Sequence, residues 1–251
     1  MTYDSSTYDS ICIVIPCFRE GTRLPVAEYI DFYERYEQVY FYFVDDGSGD
    51  TTWQVLQQLQ AGRTERIFTL QLPHNQGKGE AVRKGMLAAI AWKKFDAIAF
   101  FDADLATPLN EVFLLAKAMQ QGNYLMAFGS RLMRIGSTIK RNAMRHYFGR
   151  IFATAASWTI PLPVYDTQCG AKLLQTDLVK TICQEPFLSR WLFDLEIFAR
   201  VIKHYGLATA EQRLIEVPLR VWIEKGDSRL KFTDLFRVPY ELWRIKHKYF
   251  G

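Results

Sequence analysis

With 251 residues, 49% of them hydrophobic and 15% aromatic, the chain is too apolar for a disordered protein and long enough to bury the core of one large α/β domain. A net charge of +4 and the lack of a lysine-rich tail exclude the dense positive surface that grips nucleic acid, so any positive charge that matters is local. Cys12, Cys17, Cys169 and Cys183 show no C-x-x-C spacing and read as reduced, mostly buried thiols.

The N-terminus, MTYDSSTYDS, has neither the basic nor the apolar region of a secretion signal, which gives the expectation of a cytoplasmic protein. The longest weakly charged stretch, 151–165, is too short to cross a bilayer and contains Pro161 and Pro163.

Ile11–Ile15 is a short run of mostly branched apolar residues that ends at Pro16, the pattern of a strand buried on both faces. The turn after it, PCFREG, carries no G-x-G-x-x-G, so a dinucleotide fingerprint is absent. Helical spacing from Leu24 to Tyr36 leads to a second strand, Val39–Val44, which runs into Asp45-Asp46-Gly47-Ser48-Gly49-Asp50-Thr51. Ligands of a parallel sheet collect beyond the carboxyl ends of its strands. Asp45 and Asp46 are therefore placed to accept hydrogen bonds from a nucleobase or ribose, while Asp50 better suits capping a helix that starts near Thr52. A third strand, Arg66–Leu72, precedes His74-Asn75-Gln76-Gly77-Lys78-Gly79-Glu80 and a helix to about Lys94. Two glycines and a lysine at a helix start let backbone N–H groups approach phosphate, although the spacing is not that of a P-loop.

The fourth strand, Ala97–Phe101, ends abruptly in Asp102-Ala103-Asp104. Alternate residues of an extended chain point the same way, so both carboxylates face one spot. Mg²⁺ or Mn²⁺ suits such a spot, since it is commonly held by one or two carboxylates together with the phosphates of a substrate. Pro108 starts a helix to about Gln121, and a fifth strand, Tyr124–Phe128, ends at Gly129-Ser130-Arg131. That brings Arg131 out on the sheet edge that carries the aspartates, where a phosphate partner becomes available to it.

From Met133 to Trp158 the chain reads as a basic amphipathic helix: Lys140, Arg141, Arg145, His146 and Arg150 recur beside Met144, Phe148, Ile151, Phe152 and Ala155. Such a helix suits docking on the core with a solvated rim, or a membrane surface. Asp166–Leu174 is a polar turn into a strand, followed by a helix near Asp177–Cys183. Trp191–Glu196 opens an apolar helix to about His204, on which Asp194 needs a partner or a polar cleft. Glu216–Trp222 alternates as a strand, and Lys225–Lys231 is a polar loop. The final segment mixes Phe232, Phe236, Trp243 and Phe250 with Lys231, Arg237, Arg244, Lys246 and Lys248, which suits either a bilayer interface or a helix closing the core. Neither an H-E-x-x-H zinc helix nor a G-x-S-x-G elbow is present.

In their order, IVIPCFREGTRLP, FVDDGSGDTT, NQGKGEAVRKG, FFDADLATP, FGSR, DTQCGAKLL, RWLFDLE and EVPLRVW resemble the family 2 glycosyltransferases of the GT-A fold. Within that family the likeness is to dolichyl-phosphate β-glucosyltransferases and the related polyprenyl-phosphate mannosyl- and glucosyltransferases, over roughly residues 10–230. The resemblance implies an α/β, Rossmann-like, mixed but mostly parallel sheet flanked by helices. One domain, 1–251, would bind the nucleotide-sugar with 10–130 and the acceptor with 131–230, and 231–251 would form a C-terminal amphipathic helix. It implies Pro16, Glu20 and Asp46 around the nucleoside with Asp45 beside them, and Lys78 near a UDP- or GDP-hexose. Asp102 and Asp104 would hold Mg²⁺ or Mn²⁺ and the diphosphate, with Ser130 and Arg131 facing phosphate. Asp166, Gln168 and Asp194 would fall in the sugar and acceptor part of the cleft, and transfer would invert the anomeric carbon.

The acceptor decides whether a base is needed. A sugar hydroxyl must lose a proton, and Asp194 or Asp166 would take it. A phosphate monoester, with a second pKa of about 6, is already mostly dianionic and needs positive charge instead, which Arg131, Lys140, Arg141 and Arg145 could supply. Basic residues beside apolar stripes favour a polyprenyl or dolichyl phosphate, reached by a peripheral contact with the inner face of a membrane.

Overall fold

Branched and aromatic residues with two faces to bury become strands here, and the helices between them cover both faces. A computed structural model of the chain describes residues 8–140, 156, 158–225 and 237–251. Strands β1 (Ile11–Cys17), β2 (Val39–Asp45), β3 (Ile67–Gln71) and β4 (Ala97–Phe101) alternate with helices α1 (Val26–Arg35), α2 (Thr52–Gln60) and α3 (Lys78–Trp92). Next come α4 (Glu111–Gln121), β5 (Met126–Ser130), β6 (Thr138–Lys140), β7 (Ala171–Gln175), α5 (Thr176–Ile182), α6 (Phe193–Tyr205) and α7 (Leu207–Arg213). Strands β8 (Leu214–Pro218) and β9 (Val221–Ile223) and helix α8 (Val238–Phe250) complete the described elements.

The main sheet has seven strands in the order β3-β2-β1-β4-β7-β5-β8. All its pairs are parallel except those of β7, which runs antiparallel to both β4 and β5. From β1 the chain winds outward through β2 to β3, then returns to place β4 on the other side of β1. A crevice opens at such a switch point, outside the carboxyl ends of the strands.

Side-chain alternation divides the core between the two faces of the sheet. Cys12, Val14, Tyr42, Val44, Ile98 and Phe100 pack with residues of α3, α5, α6 and α8. Ile11, Ile13, Ile15, Phe41, Phe43, Ala99 and Phe101 pack with α1, α2 and α4. On that second face Tyr29 stands edge-on to Phe41 and Phe43, with ring centroids 5.5 and 5.0 Å away. Each fully buried large apolar side chain contributes roughly 1.5–3 kcal/mol relative to an exposed one.

Several boundaries differ from those read in the sequence. The helix expected from Pro108 begins at Glu111, and Pro108 instead accepts a turn hydrogen bond from the Glu111 N–H. The fifth strand lies two residues later than expected and includes Gly129 and Ser130. The start of the basic amphipathic helix is corrected: Thr138–Lys140 is a strand, held in a small parallel pair with Val221–Ile223. Residues 141–155, on which the rest of that reading falls, lie outside the described residues. The single strand expected over Glu216–Trp222 is two strands in two different sheets, and α7 was not anticipated.

Candidate active site

The turn after β4 is fixed before any ligand arrives. Leu105 adopts a left-handed φ of 53°, its N–H donates to the Asp102 carbonyl, and the buried Tyr29 hydroxyl donates to the Ala103 carbonyl at 3.1 Å. The Ala106 N–H donates to Asp104 Oδ1 at 2.9 Å. Burial and the neighbouring Asp102 charge push the Asp104 carboxyl above its ordinary pKa, against the Ala106 N–H and the charges of Lys78 and Lys225. The first residue of α3, Lys78, reaches across so that its Nζ sits 2.5 Å from Asp102 Oδ1. Loss of solvent works against the Lys78 charge, but Asp102, Asp194 and Asp104 outweigh it and hold the lysine pKa above its usual value. The structure thus brings Asp102, Asp104 and Lys78 together.

On the side expected to hold a nucleotide, the acids are tied into the main chain. Asp46, buried at the end of β2, accepts the N–H groups of Gln76 and Gly77 at 2.7 and 2.9 Å and the Asn75 amide at 2.9 Å. It therefore shapes the loop that delivers Lys78, and burial still raises its pKa. The fully buried Asp45 accepts the Ser48 N–H and the Gln71 amide. Pro16 lies on β1 opposite Val44. Glu20 is buried, and its backbone N–H donates to the Thr52 hydroxyl at 2.8 Å. Asp50 accepts the Thr52 N–H, the helix-start role expected of it.

Beyond β5, Arg131 binds Asp166 through two parallel bonds, Nε to Oδ2 at 2.7 Å and Nη2 to Oδ1 at 2.8 Å. Its guanidinium also lies 5.5 Å from the Trp222 ring. The Asp166 N–H donates to Glu216, whose carboxylate also accepts from Tyr165, and Ser130 is buried alongside, bonded to Glu216 through its side chain. Arg131 and Asp166 are thus committed to each other. Gln168 Nε2 is buried without a hydrogen-bond partner among the described residues. Asp194, only 3% exposed in the first turn of α6, lies 2.5 Å from the ammonium of Lys172. Arg141 and Arg145 lie outside the described residues.

Three residues near these acids lie within the quoted motifs but were given no role there. Gly170 is one: an added Cβ would overlap the Asp102 carboxylate. Glu216 and Lys172 are the others, and Lys172 did leave a signal, a lysine inside an otherwise apolar strand.

The donor set fits a hard divalent cation. Among the described residues no three His, Cys, Asp or Glu side chains converge, so a closed zinc cage is not available. Asp102 and Asp104 are oxygen donors of the kind Mg²⁺ or Mn²⁺ takes together with phosphate and water, and Gly170 leaves the space that the Asp102 carboxylate occupies.

Solved structures superpose on this mostly parallel sheet, whose paired acids stand at its switch point. Glucosyl-3-phosphoglycerate synthase from Mycobacterium tuberculosis, in complex with phosphoglyceric acid, aligns with a TM-score of 0.68 at 17% identity, over 95% of this chain and 80% of that one. The same synthase with Mn²⁺, UDP-glucose and phosphoglyceric acid aligns at 0.67. The fold is GT-A. The glycosyl transferase family 2 model matches residues 12–182, and the chain belongs to that family. It is 28% identical over 251 residues to a dolichyl-phosphate beta-glucosyltransferase of Trichomonas vaginalis, covering 94% of this chain and 72% of that protein. It is 30% identical over 261 residues to the dolichyl-phosphate beta-glucosyltransferase of Drosophila melanogaster, covering 95% and 75%.

Proposed function

We propose that the protein transfers a hexose, glucose or mannose, from a UDP- or GDP-sugar to the phosphate of a polyprenyl or dolichyl lipid, with inversion at the anomeric carbon. The observation that carries this reading is the cluster of Asp102, Asp104 and Lys78 at the switch point, where oxygen donors and an ammonium meet. Asp102 and Asp104 would hold Mg²⁺ or Mn²⁺, which when bound offsets the charge that grows on the departing diphosphate. Lys78 adds a positive charge to the same place, and Asp46 holds its loop in position. Support comes also from the relatives named as dolichyl-phosphate glucosyltransferases and from the similar fold crystallised with Mn²⁺ and UDP-glucose.

The state of the two candidate bases favours a phosphate acceptor over a hydroxyl. Asp194 is buried against Lys172 and Asp166 is bound by Arg131. A phosphate that is already anionic needs neither of them to remove a proton. Among the described residues no helix is long and apolar enough to cross a membrane, so a lipid acceptor would be met from the surface. Helix α8 offers a face for that contact: Tyr240 and Trp243 are exposed among Arg237, Arg244, Lys246 and Lys248.

The test pairs a donor screen with a transfer assay. UDP, GDP, UDP-glucose and GDP-mannose are each added with Mn²⁺, and one nucleotide should raise the thermal midpoint by mass action. The matching sugar should then pass to a short polyprenyl phosphate, stop when the metal is chelated, and leave soluble saccharides unglycosylated. Metal-independent stabilisation, or transfer to saccharides alone, would count against the reading.

A further inference from the structure

Lys172 is fully buried, and on β7 it stands in register with Phe100 of β4 and Phe128 of β5. Its Nζ lies 5.3 Å from the Phe100 ring centre and 6.0 Å from that of Phe198. A lysine survives in such surroundings only when its charge is matched and its donors are satisfied. Both conditions hold. The ammonium has three donors and meets three acceptors: the Thr167 carbonyl at 3.1 Å, the Cys169 carbonyl at 2.8 Å and Asp194 Oδ1 at 2.5 Å.

Two of those acceptors belong to the turn that leads into Gly170, and Gly170 is where the main chain comes up against the Asp102 carboxylate. The distance between that turn and Asp102 is therefore set from below by Lys172. The third acceptor continues toward the site along a second path. Asp194 lies in the field of Lys78, the lysine already paired with Asp102, and Lys78 sits 5.7 Å from the ring of Phe193 next to Asp194. Four charges then alternate in a closed circuit: Asp102, Lys78, Asp194 and Lys172, returning to Asp102 through the 167–170 turn. If a divalent cation takes Asp102, Lys78 still has Asp194 as counter-charge.

We propose that the buried Lys172–Asp194 pair is a positioning device for the divalent-cation site, holding the 167–170 turn against Asp102 and Lys78 beside it, and that Asp194 moves no proton in the reaction. A general base must reach the proton it removes. A carboxylate 3% exposed with an ammonium at 2.5 Å is placed to hold a structure instead. The proposal rests on the metal–diphosphate reading above.

Two variants test it, each followed by thermal midpoint, by the Mn²⁺ concentration that gives half-maximal UDP binding in calorimetry, and by the pH profile of turnover. Removing one partner would strand a buried charge, so the first variant combines Lys172→Met with Asp194→Leu. The second, Asp194→Asn, keeps the shape and an acceptor for Lys172 but takes away its counter-charge. It should be less stable, is assayed below its own thermal midpoint, and carries the test if the double variant fails to fold. The folded double variant should need about 10–100-fold more Mn²⁺, the usual effect of disturbing the groups behind metal ligands. Asp194→Asn should need a smaller increase and keep the pH profile of the unaltered protein. An unchanged Mn²⁺ requirement in either folded variant overturns the proposal. So does an Asp194→Asn protein that binds Mn²⁺ and UDP normally but has lost turnover and the acid limb of its profile. GDP replaces UDP in these titrations if the donor screen selects it. Failure of the unaltered protein to bind either nucleotide with Mn²⁺ overturns the metal–diphosphate reading itself, and the pair's role with it, whereas failure of the variants alone to respond overturns only the latter.

Discussion

Gly170 has no side chain where the Asp102 carboxylate stands, so the smallest possible addition at this position acts on the acid across from it. Asp102 is 37% exposed along its side chain and can swing toward solvent, and the loss of stability in Gly170→Ala should stay below about 1 kcal/mol, roughly 2–4 °C for a chain of this size. Mn²⁺-dependent UDP binding should weaken by about tenfold or more. A variant that binds as before would remove Asp102 from the site. At this scale the sequence was readable where chemistry repeats at short spacing. Asp102 and Asp104 announce themselves as alternate residues at the end of an apolar run. Lys172 leaves only the trace of a lysine inside an apolar strand, and its partner Asp194, 22 positions away, cannot be read from that spacing. Asp45 and Asp46 show the opposite limit: a strand-end position is visible in sequence, but the backbone N–H groups that occupy Asp46 come from a loop 30 and 31 residues later.

Among the elements, α8 is bound on one side and open on the other. Leu242 and Ile245 are buried, Glu241 accepts from the Ser189 hydroxyl at 2.5 Å, and Tyr249 donates to Glu196 at 2.7 Å. Tyr240, Trp243 and His247, at i, i+3 and i+7, stack along the outer side. Replacing both Tyr240 and Trp243 with Ala should therefore leave the thermal midpoint nearly unchanged, yet reduce co-sedimentation with anionic vesicles several-fold. Binding by the unaltered protein should weaken with added salt, as exposed charge attraction is screened over about 10 Å at 0.1 M. Equal sedimentation of variant and unaltered protein would remove this face from the membrane. The strands of the first half were legible because buried parallel strands are continuous apolar runs. The start of the stretch from Met133 differs from its reading for a related reason: Thr138–Lys140 is too short to show a period and becomes a strand only by pairing with Val221–Ile223, a partner some eighty residues on.

For the molecule as a whole, buried acids set the response to pH. Burial is the largest influence on Asp46, Glu111, Asp194 and Glu216, and it holds all four carboxyls above their ordinary pKa. Between the usual carboxylate value of about 4 and these raised values the folded state binds more protons than the unfolded one, so stability rises as pH falls through that window. Asp177 and Glu185, lowered by hydrogen bonds from Lys180 and Lys248, pull the other way, but exposed pairs of this kind contribute little. In chelator the thermal midpoint should rise as pH is lowered toward the usual carboxylate range of about 4, and Mn²⁺ should narrow that rise, because a bound cation favours ionised carboxylates. A midpoint that drops on acidification in chelator would contradict this balance.

The central position of β7 also bears on how the chain is made. Residues 97–101 of β4 leave the ribosome well ahead of Ala171–Gln175, which cover their open edge, and at roughly 5–20 residues per second that gap lasts for seconds. During this interval the half-made sheet presents a wholly apolar border, Ala97–Phe101, to whatever else is nearby, which is the situation in which nascent chains stick to one another. A truncated product ending before residue 171 would keep that border permanently.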